Sequence, residues 1–214
     1  MASGPDRRRG SRRPPQERRE AFLDAAVVAI RRDGPTVSME AMARQAGVTK
    51  PILYRLFDDR DGLLHALGER MAGQVIIEVT AALEQGSDGD PREMLRRAIS
   101  AYVALIDDET EVYRFVTDQS GPRGPTVTGL SAEVARAIAV VLGEQLRAAG
   151  ADSGAAEPWA FGIVGMVHLS GDWWVRNRTL PRDRLVTYLV DLLWDGFAGL
   201  APPNREPRSA TTTD

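Results

Sequence analysis

Beyond Asp61, apolar side chains recur at a period near 3.6 in one segment after another, with polar residues filling the intervening positions. This pattern predicts helices near 61–84, 91–109, 111–119, 129–149, 156–177 and 181–199. No strand-like alternation and no Asn-Gly hairpin signal interrupts it, which makes the expected fold class all-α. The joints carry turn chemistry: Gly86-Ser87-Asp88-Gly89-Asp90-Pro91, Gly121-Pro122-Arg123-Gly124-Pro125, Gly150 to Gly154, and Arg178 to Pro181. No internal repeat is evident.

Upstream of this region, residues 38–57 read as two short helices hinged on Gly47. Ser38 is placed as an N-cap, and Glu40 falls in the first turn, where a negative charge faces exposed backbone donors. Met39, Met42, Ala43 and Ala46 share one side at helical spacing. Gly47 supplies the left-handed backbone that ends a helix, and Val48 is placed to plug inward between the two. Thr49 is the next expected N-cap, with Pro51 in the first turn, where its missing N–H costs no intrahelical bond. Leu53, Leu56 and Phe57 form the inward side of this second helix, leaving Lys50, Pro51, Tyr54 and Arg55 outward. A helix-turn-helix puts that part of its second helix in the major groove. An ordinary helical hairpin has the same spacing, so spacing alone leaves both readings open.

The residues themselves go further. The run Ala-Met-Ala-Arg-Gln-Ala-Gly-Val-Thr-Lys-Pro-Ile-Leu-Tyr-Arg-Leu-Phe, 41–57, resembles the DNA-binding signature of the tetracycline-repressor (TetR) family of bacterial regulators. Arg18 to Gly34 resembles that family's first helix, and Asp58-Asp-Arg-Asp-Gly-Leu-Leu64 resembles the start of its fourth. The resemblance covers roughly residues 16–70 at high specificity, and beyond them only the general helical layout. It implies about nine helices in total: a three-helix DNA-binding head over 16–65 and a helical ligand-binding and dimerisation body over 66–200. Carried over residue by residue, it makes Thr49 and Tyr54 phosphate contacts, Lys50, Pro51 and Arg55 major-groove contacts, and Arg60 a phosphate contact at the next helix. Ser38 and Ile52 complete the candidate DNA-binding set. The chemistry suits these roles, because Arg pairs bidentately with guanine and hydroxyls hold phosphates. Two positions depart from the family pattern: Ile52 stands where a small or hydroxyl residue is common, and Leu56 where His is common. Ile52 can touch a thymine methyl, whereas Leu56 offers no hydrogen bond.

Charge is divided along the chain. Residues 1–65 carry 13 Lys or Arg and 9 Asp or Glu, net +4, whereas residues 66–214 carry 14 and 21, net −7. A basic head on an acidic body restricts nucleic-acid binding to the head. The first twenty residues hold seven Arg against three acids, and residues 1–15 are expected to form a disordered basic arm. Such an arm either tracks the DNA backbone or is simply a solvated tail. The segment 201–214 is expected to be a disordered tail.

Composition closes off several classes. No cysteine is present, which excludes disulfides, thiolate metal sites and cysteine nucleophiles. No apolar segment follows the basic N-terminus and no run approaches the roughly 18 apolar residues of a membrane span, pointing to a cytoplasmic protein. His65 with Glu69 and His168 with Asp172 each offer a metal only two ligands, and the acidic run 107–111 lacks the alternation and central Gly of a calcium loop. No Gly-rich phosphate loop or catalytic cluster is found, so no cofactor, metal or enzymatic activity is expected.

The last two helices have unusually wide apolar faces. Leu185, Val186, Leu189, Val190, Leu192, Leu193, Gly196 and Phe197 cover about half of the final one, which suggests packing on two sides. The preceding helix adds Trp159 and Trp173, with Gly162 permitting close approach. Trp159, Gly162, Leu185, Leu189, Leu192, Leu193 and Gly196 are therefore the candidate dimer interface, two helices from each chain forming a four-helix seam as the resemblance implies. Tyr102, Tyr113, Phe115, Met166, His168 and Trp173 are the candidate lining of a largely apolar effector pocket, although each taken alone packs as readily in a core. The expected protein is a homodimeric regulator that binds a near-palindromic operator and, as a repressor, is released by a small, largely apolar effector. In that reading, the helix over 61–84 alters the spacing of the two heads when effector binds. An activator, or a regulator with a vestigial pocket, is the alternative. A helical enzyme using His168 and Asp172 is a remote one that leaves residues 41–57 unexplained.

Overall fold

The computed structural model describes residues 14–84, 90–118 and 127–196. Among the described residues the regular elements are all helical: α1 (Pro15–Asp33), α2 (Met39–Gln45), α3 (Lys50–Phe57), α4 (Arg60–Glu84), α5 (Pro91–Asp108), α6 (Thr110–Asp118), α7 (Val127–Ala148), α8 (Ala156–Asn177) and α9 (Arg182–Asp195), with one 3-10 turn at Ser153–Ala155. The expected helices thus appear with ends shifted by a few residues, where caps and turns set the termini. The basic arm lies outside the described residues except at Pro14 and Pro15, where α1 begins, and the tail from 201 onward lies outside them entirely.

Packing divides the chain into two compact units. The first falls within Met1–Met71 and Glu109–Leu130, the second within Ala72–Asp108 and Ser131–Asp214. In the first, α1 buries Phe22, Leu23, Ala26, Ala29 and Ile30, an i, i+1, i+4, i+7, i+8 stripe that explains why this segment is helical. Met42, Leu53, Phe57, Leu63, Leu64 and Leu67 pack into the same cluster. Each fully buried Leu or Phe contributes about 1.5–3 kcal/mol through the apolar surface it hides. The core is completed by Val112, Phe115 and Val116 of α6, so α6 and the start of α4 belong to the same unit as α1–α3, beyond the 16–65 segment. Arg31 of α1 grips Glu109 at the start of α6, its Nε donating at 2.9 Å. Arg70 Nη2 of α4 reaches Asp24 of α1 at 2.5 Å. These exposed pairs fix registry more than they add stability.

The second unit has α5 against α9 and α8. Ile99, Val103 and Ile106 of α5 are buried, as are Val167, Trp174 and Val175 of α8. Gly171 sets the approach of α8 to α5: a Cβ there would lie 2.8 Å from Ile106 Cδ1 and 3.1 Å from Tyr102 Cε1. Arg92 of α5 ties α9 by donating to Asp191 at 2.6 Å and Asp195 at 3.1 Å. The α8–α9 corner closes on Arg178, at φ +49°, whose guanidinium lies 4.1 Å from the Trp174 ring and donates to Asp107 at 2.6 Å.

One expectation for α9 is corrected here. Leu185 and Leu189 are buried in the protomer's own core together with Val186 and Val190, because this i, i+1, i+4, i+5 stripe is the side applied to α5. They are therefore not available on an exposed face. The outer part of the wide apolar surface is Tyr188, Leu192 and Trp194, all exposed, with Leu193 half-buried and Gly196 exposed. Among the described residues no helix is long and apolar enough to cross a membrane.

Candidate nucleic-acid interface

Helix α3 is positioned from both ends. Upstream, the Ser38 Oγ accepts from the Ala41 N–H at 3.2 Å, starting α2, while Met42 and Ala43 seat that helix on α1. Ser38 thus serves α2 as the N-cap its position suggests. Gly47, at φ +65°, turns the chain, and the Val48 N–H donates back to the Ala43 carbonyl at 3.0 Å. The turn brings Thr49 into extended geometry with ψ 154°, where its carbonyl accepts from Ile52 and Leu53. Its hydroxyl makes no capping hydrogen bond, so Thr49 is the N-cap by position only.

Leu53 and Phe57, one turn apart, anchor α3 in the core, with the Phe57 ring 5.1 Å from that of Phe22. Leu56, expected inward, is half-buried at the core's edge. At 100° per residue the opposite side of α3 carries Pro51 and Arg55 at its crown, Lys50 and Tyr54 on one flank, and Ile52 with Leu56 on the other. Thr49, Lys50, Pro51, Ile52, Tyr54 and Arg55 are all exposed. The Lys50 ammonium lies 5.8 Å from the Tyr54 ring, within cation–π range.

Downstream, a constraint appears that the sequence reading missed. Asp58 sits at φ +59°, ψ −58°, and the Asp59 N–H reaches back to the Phe57 carbonyl at 2.6 Å, a turn closed in three residues. Asp59 Oδ1 accepts from the Gly62 N–H at 2.7 Å and caps α4. A Cβ on Gly62 would stand 2.0 Å from the Phe57 carbonyl oxygen, so only glycine allows α3 to end this close to the start of α4. The visible signal was Asp59 three residues before Gly62, a cap followed by a residue without a side chain. Arg60 is half-buried, its guanidinium 5.3 Å from the Phe115 ring.

The residues grouped as a pocket are distributed differently. Phe115 and Tyr113 are buried in α6 of the first unit, Phe115 completely. In the second unit the Tyr102 hydroxyl meets His168 Nδ1 at 3.1 Å, while Met166 is half-buried and Trp173 exposed. Burial holds the His168 imidazole below its ordinary pKa, against the opposing pull of Asp172, which is itself paired with Arg176 at 3.0 Å. His65 and Glu69 form an exposed pair at 3.2 Å. Among the described residues no group of three or more His, Asp or Glu could hold a metal. A cleft of ≈ 550 Å³ lies between α7 and the start of α8, lined by residues that include Arg136, Val140, Gly143, Arg147 and Glu157, and none of the grouped aromatics lines it.

An exposed, basic and aromatic N-terminal half of a second helix, presented by a glycine turn over a shared core, defines a DNA-binding helix-turn-helix in an all-α chain. Residues 22–67 match the bacterial regulatory proteins of the tetR family, and residues 78–208 match the tetracyclin repressor-like C-terminal domain. An HTH-type transcriptional regulator of Mycobacterium tuberculosis is 36% identical over 186 residues, covering 86% of this chain and 79% of that protein. The chain belongs to the TetR family of transcriptional regulators. It is also similar to the transcriptional activator FasR of Mycolicibacterium smegmatis, 29% identical over 194 residues, 89% of this chain and 88% of FasR. The structure of FadR from Bacillus subtilis in complex with stearoyl-CoA shares the fold, with a TM-score of 0.61 at 20% identity over 83% of this chain and 98% of that one.

Proposed function

We propose that this chain is a homodimeric, ligand-responsive repressor that holds a near-palindromic operator through Thr49–Arg55 and releases it when a small, largely apolar effector binds the body. The observation that carries the DNA side is the continuous exposed surface of Thr49, Lys50, Pro51, Ile52, Tyr54 and Arg55, held rigid from beneath by Leu53 and Phe57. Thr49 and Tyr54 hold phosphates, Lys50, Pro51 and Arg55 enter the groove, and Arg60 adds a phosphate contact at the start of α4.

Dimerisation is supported by an outward seam on α8. Trp159, Gly162, Met166, Leu169 and Trp173 follow a 3-4-3-4 spacing, and all are exposed except Met166, which is half-buried. Leu169 is 70% and Trp159 55% exposed, a large apolar surface for a lone helix to leave in water. With Leu192 and Gly196 of α9 beside it, this seam is the proposed interface, and Met166 and Trp173 fall on it as well as in the pocket group. α4 runs unbroken over Arg60–Glu84 and supplies residues to both units, which makes it the covalent route from effector to head.

The test uses the full chain and a duplex spanning its own promoter, read by fluorescence anisotropy at fixed salt, with native mass spectrometry reporting dimer mass and any retained ligand. Long-chain acyl-CoA is the first effector probe, chosen because FadR holds stearoyl-CoA. Saturable, sequence-selective binding by a dimer, weakened by effector, is expected; equal affinity with and without a demonstrated body ligand would sink the release model. The likeness to an activator, FasR, favours one second reading, activation. Transcription from the bound promoter in vitro separates the two by sign.

A further inference from the structure

The two flanks of α3 differ in chemistry. On one, Lys50 and Tyr54 lie together, the ammonium 5.8 Å from the ring, a polar pair suited to the phosphate backbone. On the other, Ile52 is 38% exposed although it is one of the most apolar side chains available. Its neighbour one turn on, Leu56, is drawn to the edge of the head's core, so Ile52 alone projects an apolar group on that flank. Three residues along, and beside it on the wheel, stands Arg55, exposed at the crown. The Ile52 side chain is not part of the head's core, where the anchoring of α3 is supplied by Leu53 and Phe57.

We propose that Ile52 is a specificity-determining residue that reads the C5-methyl of a thymine close to a guanine held by Arg55. The proposal rests on the reading of α3 as the DNA-contacting helix. The thymine methyl is the one large apolar group on the major-groove edge of the bases, and it is what an aliphatic side chain can recognise there. The spacing follows from helix geometry. At 1.5 Å rise per residue, Ile52 and Arg55 lie about 4.5 Å apart along the axis. Base pairs stack at about 3.4 Å, so the thymine and the guanine fall one or two steps apart in each half-site.

The experiment begins with the full chain and a pool of random duplexes. Sequences retained at about 0.15 M salt are expected to share inverted half-sites in which a T·A pair lies one or two steps from a G·C pair. In the best of these, each thymine is then replaced singly by deoxyuridine, which deletes only the methyl group. Wild type should lose affinity at one thymine per half-site on the order of fourfold, the value of one buried methyl. Ile52→Ala should bind thymine and deoxyuridine duplexes equally at that position while keeping its preference at the guanine. Ile52→Val should keep part of the discrimination. Because Ile52 is outside the core, unchanged circular dichroism is expected for both variants. Wild type indifferent to every deoxyuridine, or Ile52→Ala still discriminating, overturns the proposal and leaves DNA reading by α3 intact. A pool from which no sequence is enriched overturns the DNA reading itself and this proposal with it.

Discussion

Replacing Gly62 by Ala adds one methyl at a place where the backbone has no room for it. The new Cβ would lie 2.0 Å from the Phe57 carbonyl oxygen and 3.1 Å from its carbon, whereas real Cβ atoms essentially never come within 3.0 Å of a neighbour. The end of α3 and the start of α4 must therefore separate by about 1 Å. No rotamer change relieves the contact, because the obstacle is a main-chain oxygen already held by the Asp59 N–H at 2.6 Å. Overpacking typically costs about 1–3 kcal/mol, and a backbone obstacle puts this case near the upper end. Removing a glycine from a helix returns at most about 1 kcal/mol. The net loss is then about 2 kcal/mol, or a fall in Tm of about 4–8 °C for a chain of this size. Gly73→Ala is the matched control: it lies in the same helix, has nothing within 4 Å, and should leave Tm unchanged or raise it. Thermal melts of the three proteins, with anisotropy on a bound operator, make the comparison. Gly62→Ala should weaken operator binding as well, since displaced α3 no longer presents Arg55 in register. A Gly62→Ala protein that melts within a degree of wild type and binds equally would refute the turn geometry.

The remaining predictions separate structural from reading roles. Ser38→Ala removes a cap that is made and should cost about 1 kcal/mol of stability, whereas Thr49→Ala removes no cap bond and should leave the melt alone while lowering DNA affinity. Arg55→Ala should cost about 1–3 kcal/mol of operator binding and relax the preference at a G·C pair, measured by competition with single-base operator variants. Leu169→Arg places a charge at the most exposed point of the α8 seam and should give monomers in sedimentation velocity, with a folded circular-dichroism spectrum. The His168 imidazole has its folded pKa held below 6.5, chiefly by burial and against Asp172. As pH falls, the unfolded chain takes up the proton first, so this contribution to stability is complete above about pH 6.5 and is lost as pH drops through the folded value. Urea midpoints should fall between about pH 7.5 and 5.5, and His168→Gln should flatten that dependence.

The head could be read from sequence because its constraints are local. Ser38 caps four residues from Met42, Gly47 turns the chain between two short helices, and Leu53 and Phe57 lie one turn apart, so spacing and turn chemistry specify the two helices and the turn, and residue identity the class. What escaped was the contact between the Phe57 carbonyl and Gly62, and with it the positive φ of Asp58, because a close approach is a property of backbone in space. In the body, periodicity identified the apolar faces but had no means of naming their partners. The wide stripe of α9 is the clearest case: Leu185 and Leu189 go to α5 while Leu192, one turn on, stays exposed, and all three have the same chemistry. α6 joins the head's core through Val112, Phe115 and Val116, and its grip on Arg31 spans 78 residues of sequence. Tyr102 and His168 meet across 66. When every element repeats at 3.6 residues, hydrophobic burial selects a face without selecting a neighbour, and the choice passes to size and charge: a glycine at 171 that lets α5 approach α8, or an Arg92 placed between two carboxylates of α9. The exposed residues of α3 escape this ambiguity, because in the proposed reading their partner is DNA and not another helix of the chain. Their type as well as their position is therefore informative, and an exposed isoleucine beside an exposed arginine is a statement about the surface they meet.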